Sequence, residues 1–324
     1  MVNVPEQILS AIKTYNSIVI TSHIEPDGDS LGSVLGLARA LSKAGKNIFV
    51  PLDSSIPDKY SFLAEMLLPY RELLPNPELA VVIDCSSPDR IDWGVYGSPP
   101  SVPIVNIDHH VGNMMFGEMN WVDENAAACG EMIYYLIKKL RLELDEISAT
   151  GLFTAILTDT GRFSFINTKP NIFRIAAELQ EAGADPKKIG EALYCNYSPS
   201  YLKNVGIALC NLKILSDGKV AFMVLDHKNA QEFGTRVNDS EGIVDFAIAI
   251  KGVEVAALFK EVDDDKVKVS LRSRGAIDVS RIAQLFGGGG HKNAAGCTIY
   301  GSLKSAKETI LREIERDLKK KSFA

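Results

Sequence analysis

The sequence predicts an α/β protein of two domains. An N-terminal doubly wound, mostly parallel sheet is expected first, then a smaller C-terminal α/β domain. Three observations predict this. The chain has 324 residues, more than one typical domain. Apolar, β-branched runs over residues 17–22, 79–84 and 103–107 alternate with segments of helical period. Beyond residue 200 the strands follow one another more closely, with fewer helical stretches between them.

The first strand, residues 17–22, runs into His23-Ile24-Glu25-Pro26-Asp27-Gly28-Asp29-Ser30, where Pro26 and Gly28 mark a tight loop. Leu31, Val34, Leu35, Ala38 and Leu41 then fall on one helical face. Residues 46–50 read as a second strand and 57–75 as a short helix with a connector. A third strand, 79–84, ends in Asp84 and is followed by a loop at Ser86, Ser87 and Pro88. The run Pro103-Ile104-Val105-Asn106-Ile107 ends in Asp108-His109-His110. Met132, Ile133, Leu136, Ile137 and Leu140 form a helical stripe. A further helix over 147–157 leads into Thr158-Asp159-Thr160-Gly161, with Gly161 as its stop. Residues 170–183 give another amphipathic helix.

Asp185-Pro186, Asn196 and Ser198-Pro199 then break the pattern. The expected division is a first domain over 1–186, a connector over 187–204 and a second domain over 205–324. Residues 201–215 read as a helix and 220–225 and 253–262 as strands. A turn at Asp263-Asp264-Asp265 leads to a strand over 266–271 that delivers Arg272-Ser273-Arg274. A helix near 279–286 precedes Gly287-Gly288-Gly289-Gly290-His291. The last helix carries Ile310, Leu311, Ile314 and Leu318, and Lys319, Lys320 and Lys321 complement its dipole.

Composition narrows the function classes. Hydrophobic content of 46% suffices for two cores, and 23% charge is ordinary. Met1 to Gln7 carry no basic region followed by an apolar core, so no secretory signal is expected. The richest apolar stretch, 244–259, is interrupted by Asp245, Lys251 and Glu254, so no membrane partner is expected. Cys85, Cys129, Cys195, Cys210 and Cys297 form no CxxC pair, which fits reduced thiols in a cytoplasmic protein. The net charge of −6 argues against a long nucleic acid as partner, since such proteins show a basic footprint.

Chemistry concentrates at strand ends. Four of the five histidines fall in three acidic or Gly-rich motifs; His227 stands outside them and reads as surface. In an open parallel sheet, ligands bind at the carboxyl ends of strands. An isolated Asp27-Gly28-Asp29 reads as a turn with a helix cap. An EF-hand is excluded because Leu31 and Ala38 stand where ligands are needed. Asp159 in the last turn of a helix opposes the local dipole, as functional residues often do. Five carboxylates, Asp27, Asp29, Asp84, Asp108 and Asp159, would repel one another unless cations joined them. His23, His109 and His110 add imidazoles, a set that suits Mn, Zn or Fe better than Ca or Mg. Two-metal sites, with ions about 3.5–4 Å apart, serve phosphoester hydrolysis. Asp84, on a central strand, is the natural bridge. In the second domain, the glycine run allows close backbone approach to a ligand and an anion nest. Arg272, Arg274, His291 and Lys292 beside it suit phosphate.

The order His-x-x-x-Asp-x-Asp, Asp, Asp-His-His, Asp resembles the DHH phosphoesterase family. Gly287-Gly288-Gly289-Gly290-His291-x-x-Ala294-Ala295-Gly296 resembles its DHHA1 substrate domain. The resemblance covers nearly the whole chain, and its compact form is similar to NrnA-type nanoRNases and pApA or pAp hydrolases. It implies two Mn²⁺ ions, with Mg²⁺ or Co²⁺ as substitutes. His23 and Asp27 would bind the first and Asp29, His109 and Asp159 the second, with Asp84 bridging. His110 would face the scissile phosphate, and Asp108 would orient a histidine. Arg272, Arg274, Gly288, Gly289, Gly290 and His291 would hold the nucleotide across the cleft. The implied substrates are short RNA or dinucleotides, and the family often forms homodimers. A RecJ-like exonuclease on single-stranded DNA is the nearest enzymatic alternative, disfavoured by modest length and acidic charge. A family II pyrophosphatase lacks the Gly-rich second domain. A non-catalytic nucleotide-binding protein of this fold would tolerate loss of Asp84 or His110, and both are present. Membrane-anchored cyclic dinucleotide phosphodiesterases carry the same module with additional segments.

Overall fold

The computed structural model describes residues 4–52, 56–237, 240–263, 265–275 and 277–322. Met1 to Asn3, Asp264 of the expected turn, and the side chains of His291 and Lys321 lie outside the described residues. The chain divides into two compact units, 1–196 and 197–324.

The first unit contains strands β1 (Ser17–Thr21), β2 (Asn47–Phe49), β3 (Leu79–Ile83), β4 (Ile104–Asp108) and β5 (Met119–Val122). Its helices are α1 (Glu6–Thr14), α2 (Gly28–Lys43), α3 (Ser61–Leu67), α4 (Cys129–Leu140), α5 (Glu146–Asp159), α6 (Pro170–Glu181) and α7 (Pro186–Tyr194). The sheet order is β2-β1-β3-β4-β5, and every pairing is parallel. This confirms the parallel sheet and adds β5, an edge strand whose four residues are mostly half-buried and give little periodic signal. β1, β3 and β4 are neighbours, so their carboxyl ends open at one edge of the sheet.

The two faces are covered differently. Ile18, Ile20, Val81, Ile83, Val105 and Ile107 face a core that contains the buried side chains of all seven helices. Val19, Phe49, Ala80 and Val82 face a smaller cluster with Cys85, Ile91 and Trp93, supplied by turns and short 3₁₀ segments. The α/β class with a parallel N-terminal sheet stands as expected, and among the described residues the helices gather on one face of it. The segment between β3 and β4 forms turns and two short 3₁₀ segments, and its Ile91, Trp93 and Tyr96 cover that face.

α2 and α5 approach unusually closely. A Cβ on Gly32 would lie 2.3 Å from the Gly151 carbonyl oxygen, and one on Gly151 would lie 2.6 Å from that of Gly32. Gly28 meets Thr158 and Gly36 meets Leu152, so the start of α2 lies against the end of α5. Two glycines facing each other thereby fix where Asp29 and Asp159 meet.

The second unit contains α8 (Pro199–Cys210), β6 (Lys213–Leu215), β7 (Val220–Leu225), α9 (His227–Glu232), α10 (Val244–Ile248), β8 (Val255–Asp263) and β9 (Lys266–Ser273). It continues with α11 (Val279–Gln284), β10 (Gly289–His291), β11 (Ala294–Tyr300) and α12 (Leu303–Ser322). The sheet order is β10-β11-β9-β8-β7-β6, antiparallel except for β7 with β8. α11 and α12 cover one face, and α8 and α10 the other.

The stretch 187–204, expected as a connector, is mostly helical. Asp185 caps α7 with Pro186 at its first position, and Ser198 caps α8 with Pro199 in the same place. The breakers are helix starts, where proline lacks nothing the helix needs. The helix expected over 201–215 ends at Cys210 and gives way to β6. Among the described residues no helix is long and apolar enough to cross a membrane.

Candidate metal centre

The carboxyl ends of β1, β3 and β4 bring together His23, Asp84, Asp108, His109 and His110. The start of α2 adds Asp27 and Asp29, and the end of α5 adds Asp159. All of these but Asp159, joined by Cys129, fall into three overlapping groups of ligand atoms: His23, Asp27 and Asp84; Asp29, Asp84, His109 and Cys129; and Asp84, Asp108 and His110. Asp84 belongs to all three. It is buried at 1% exposure and adopts φ 58°, a left-handed backbone that Asp tolerates better than most residues. That turn lifts its carboxylate out of the strand line and into the cluster.

The imidazoles are aimed by their second nitrogens. His23 donates through Nδ1 to the Ile24 carbonyl at 2.7 Å, and His109 through Nδ1 to the Ala126 carbonyl at 3.2 Å. A carbonyl only accepts, so Nδ1 carries the proton in both rings. Nε2 then faces carboxylates. In His23 it lies 3.7 Å from Asp84. In His109 it lies 3.6 Å from Asp29, 3.7 Å from Asp84 and 3.5 Å from Asp159. His110 is reversed, its Nδ1 lying 2.8 Å from Asp108 Oδ1.

Asp27 fulfils the bland reading as well: it caps α2 in a reciprocal box with Ser30. Asp29 is fully held, accepting from the backbone N–H groups of Cys129 at 2.7 Å and Gly130 at 2.9 Å and from Ser33 Oγ at 3.0 Å. Those amides are the start of α4, whose dipole favours a carboxylate there.

Electrostatics show the strain of this crowd. Burial, with the charges of Asp84 and Asp159, pushes the Asp29 carboxyl well above its ordinary range. Burial, with Asp84 and Asp27, pushes Asp159 up to about 7 against the pull of His109. Burial opposes ionisation of Asp84 too, yet His23, His110 and His109 hold it far below the usual carboxylate range. Burial disfavours the charged imidazoles, but Asp84 and Asp27 raise His23 to about 9, and Asp29, Asp84 and Asp159 raise His109 to about 9. Carboxylates held against their charge beside imidazoles aimed by backbone carbonyls are a donor set that fits divalent cations. These acidic residues and histidines can form a metal site.

Sequence reasoning missed four participants. Asn106 and Asn113 hydrogen-bond around Asp108, and Cys129 and Gly130 support Asp29. Asn106 carried a signal, a polar residue within an apolar strand. Cys129 and Gly130 act largely through backbone N–H groups, which leave no trace in residue type.

In the second unit, Arg272 Nε lies 2.8 Å from Asp245 Oδ1, and Arg274 donates from Nε and Nη2 to the Ile248 carbonyl at 3.2 and 3.0 Å. Arg272 pairs across the sheet with Ala294, and the Asn293 carbonyl accepts from Ser273 N–H, so the arginines adjoin the hairpin that carries His291. Part of the glycine run is a strand. Gly289 and Gly290 belong to β10, and a Cβ on Gly288 would lie 2.2 Å from the Gly296 carbonyl oxygen. On Gly290, at φ 134°, it would lie 2.5 Å from that of Ala294. These two glycines let β10 pack onto β11.

Comparison with known proteins agrees with this arrangement. A model described as the DHH family, N-terminal domain, matches residues 17–158, and one described as the DHHA1 domain matches 217–320. A Thermus thermophilus protein named bifunctional oligoribonuclease and PAP phosphatase NrnA is 35% identical over 98% of this chain and 94% of its own. The chain belongs to the DHH family. A Bacillus subtilis DHH-family relative of the same name is 29% identical over 91% of this chain and 93% of its own. A solved exopolyphosphatase-related protein from Bacteroides fragilis superposes with a TM-score of 0.85 at 27% identity, covering 98% of this chain and 96% of that one.

Proposed function

We propose that this protein is a metal-dependent phosphodiesterase that hydrolyses short 5′-phosphorylated oligoribonucleotides, pApA among them, to mononucleotides, and removes the 3′-phosphate of pAp. The observation that carries the reading is Asp84, one buried carboxylate common to three overlapping ligand groups. Two relatives named for oligoribonuclease and PAP phosphatase activity, each matched along nearly its full length, support the substrate class. The proposed cofactors are two Mn²⁺ ions, with Mg²⁺ or Co²⁺ as substitutes. His23 and Asp27 would hold one and Asp29, His109 and Asp159 the other, with Asp84 shared. Divalent ions there supply positive charge for phosphoryl oxygens and lower the pKa of water. His110, held through Nδ1 by Asp108, presents its other nitrogen to orient the phosphate or give a proton to the leaving oxygen.

In the DHHA1 unit, Arg272 and Arg274, with Gly288, Gly289, Gly290 and His291, are the proposed nucleotide-binding residues. Both arginines are already held on one side, by Asp245 and the Ile248 carbonyl. Ordering of this kind lowers the entropy cost of gripping a phosphate. The scattered cysteines support a cytoplasmic setting. Homodimer formation is part of the proposal and is testable by sedimentation.

The test incubates metal-free protein with pApA, a five-nucleotide RNA and pAp, with and without Mn²⁺, beside an Asp84→Ala variant. Mn²⁺-dependent release of AMP, lost in the variant, is the expected result. No turnover of any of the three would send the search to pyrophosphate and other small phosphoesters.

A further inference from the structure

Beyond the metal ligands, one polar chain leads from the backbone to His110. Asp108 is fully buried. Its Oδ1 receives His110 Nδ1 at 2.8 Å, and its Oδ2 receives Asn113 Nδ2 at 2.6 Å. Asn113 Nδ2 also lies 2.9 Å from Asn106 Oδ1 and 3.2 Å from the Cys85 carbonyl. Asn106, itself fully buried, donates to the same carbonyl at 3.1 Å. The Asn113 amide cannot be turned round, because its Oδ1 accepts from Met115 N–H at 2.7 Å while Nδ2 faces only acceptors.

The surrounding loop is unusual. Val111, Met114 and Met115 are exposed at 81%, 66% and 55%, yet Asn113 is turned inward. Met115, whose N–H the asparagine holds, has φ 51°, and Gly112 has φ 82°. A left-handed non-glycine residue costs free energy, of order 1 kcal/mol or more. That strain accompanies a conformation that directs Asn113 onto Asp108.

The alternative partner for His110 is close. Its Nδ1 lies 3.5 Å from Asp84 Oδ1, against 2.8 Å from Asp108. If Asp108 rotated, the ring could turn to Asp84, the carboxylate the proposed metal site depends on.

We infer that Asn113 is a positioning residue for the proposed phosphodiester hydrolysis: with Asn106 it locks the Asp108 carboxylate so that His110 keeps its Nδ1 proton on Asp108 and presents Nε2 to the substrate. This rests on the functional reading above only for its consequence in turnover. The hydrogen-bond arrangement can be read without any substrate.

Two variants separate positioning from loop structure. Asn113→Asp keeps the oxygen that Met115 N–H uses but sets a carboxylate against Asp108. Asn113→Ala removes both functions. The first readout is the Nδ1–H proton resonance of His110, assigned by ¹⁵N correlation in metal-free protein. A downfield, carboxylate-bonded signal is expected in the wild type and its loss or upfield shift in both variants. The second is steady-state kinetics on pApA with Mn²⁺. A fall in kcat of about 10- to 100-fold with KM changed less than about twofold is expected in both variants, the size typical when the partner of an active-site group is removed. A His110 resonance unchanged in a folded variant overturns the inference, as does a loss seen in Asn113→Ala but not in Asn113→Asp, which assigns Asn113 to the loop alone. If wild-type protein turns over no substrate, the functional reading fails, and the resonance still decides whether Asn113 positions the ring.

Discussion

At the residue scale, one carboxylate does two jobs that seldom coincide. Asp84 must be buried to meet three ligand groups and ionised to be useful in them, and burial opposes ionisation. Three imidazoles resolve the conflict. Away from the site, Asp145 shows the same balance in milder form. It caps α5 through Ser148 N–H and lies 2.8 Å from Arg39 Nε. Burial raises its pKa, but the amide, Arg39 and Lys43 lower it further, and the net shift is downward. A carboxylate with a depressed folded pKa stabilises the fold above its unfolded value, about 3.9, and loses that contribution as pH falls through the lower folded value. Asp145→Asn keeps the cap but not the charge. It is expected to cost about 1 kcal/mol at pH 7, with the difference from wild type vanishing in acid below the carboxylate range. Urea unfolding at pH 7 and in acid checks this; a pH-independent difference would remove the ion pair from the account.

At the element scale, the site depends on the seam between α2 and α5. Asp29 begins one helix and Asp159 ends the other, and Gly32 facing Gly151 sets their separation. Gly32→Ala is favourable for an isolated helix, since alanine is the better helix former. Here its methyl group would meet backbone rather than a flexible side chain. The substitution is therefore expected to destabilise by about 1–3 kcal/mol. It should also weaken Mn²⁺ binding by moving Asp29 from Asp159. Thermal unfolding and isothermal titration with Mn²⁺ measure the two effects. A variant as stable as wild type with unaltered affinity would show that the seam has slack. The same scale explains α7 and α8. Pro186 and Pro199 read as breaks in the sequence, and each opens a helix behind an Asp or Ser cap.

At the scale of the whole molecule, the metal is expected to be a structural partner as well as a chemical one. The site ties β1, β3, β4, α2 and α5 together through carboxylates held against their charge. Bound cations should therefore raise stability by mass action, about 2.7 kcal/mol at a concentration 100 times Kd. Chelation should lower the melting temperature and Mn²⁺ restore it, with the shift abolished in Asp84→Ala. A melting temperature indifferent to metal would count against the donor set as a cation site. The overall charge of −6 bears on the partner. With no net basic field, the proposed recognition would come from local groups such as Arg272 and Arg274, which suits a substrate of a few phosphates better than a long strand.

The sequence by itself determined the α/β class, most strands and helices of both units, and the placing of acids and histidines at strand ends. It could do so because apolar periodicity and turn residues are local, and the Asp108-His109-His110 triplet and the run from Gly287 to His291 are each contiguous. It left β5, β6 and the hairpin role of Gly288 and Gly290 unread, since these short segments are defined by their neighbours. Only the tertiary structure decided that helices cover one face of the first sheet, that Asp84 joins all three ligand groups, and that α4 amides hold Asp29. It alone decided which ring nitrogen of His23, His109 and His110 faces a backbone carbonyl or Asp108. It also decided the place of Asn113, because a side chain's hydrogen-bond partners are set by residues that meet in space, and residue type does not encode which of them will arrive.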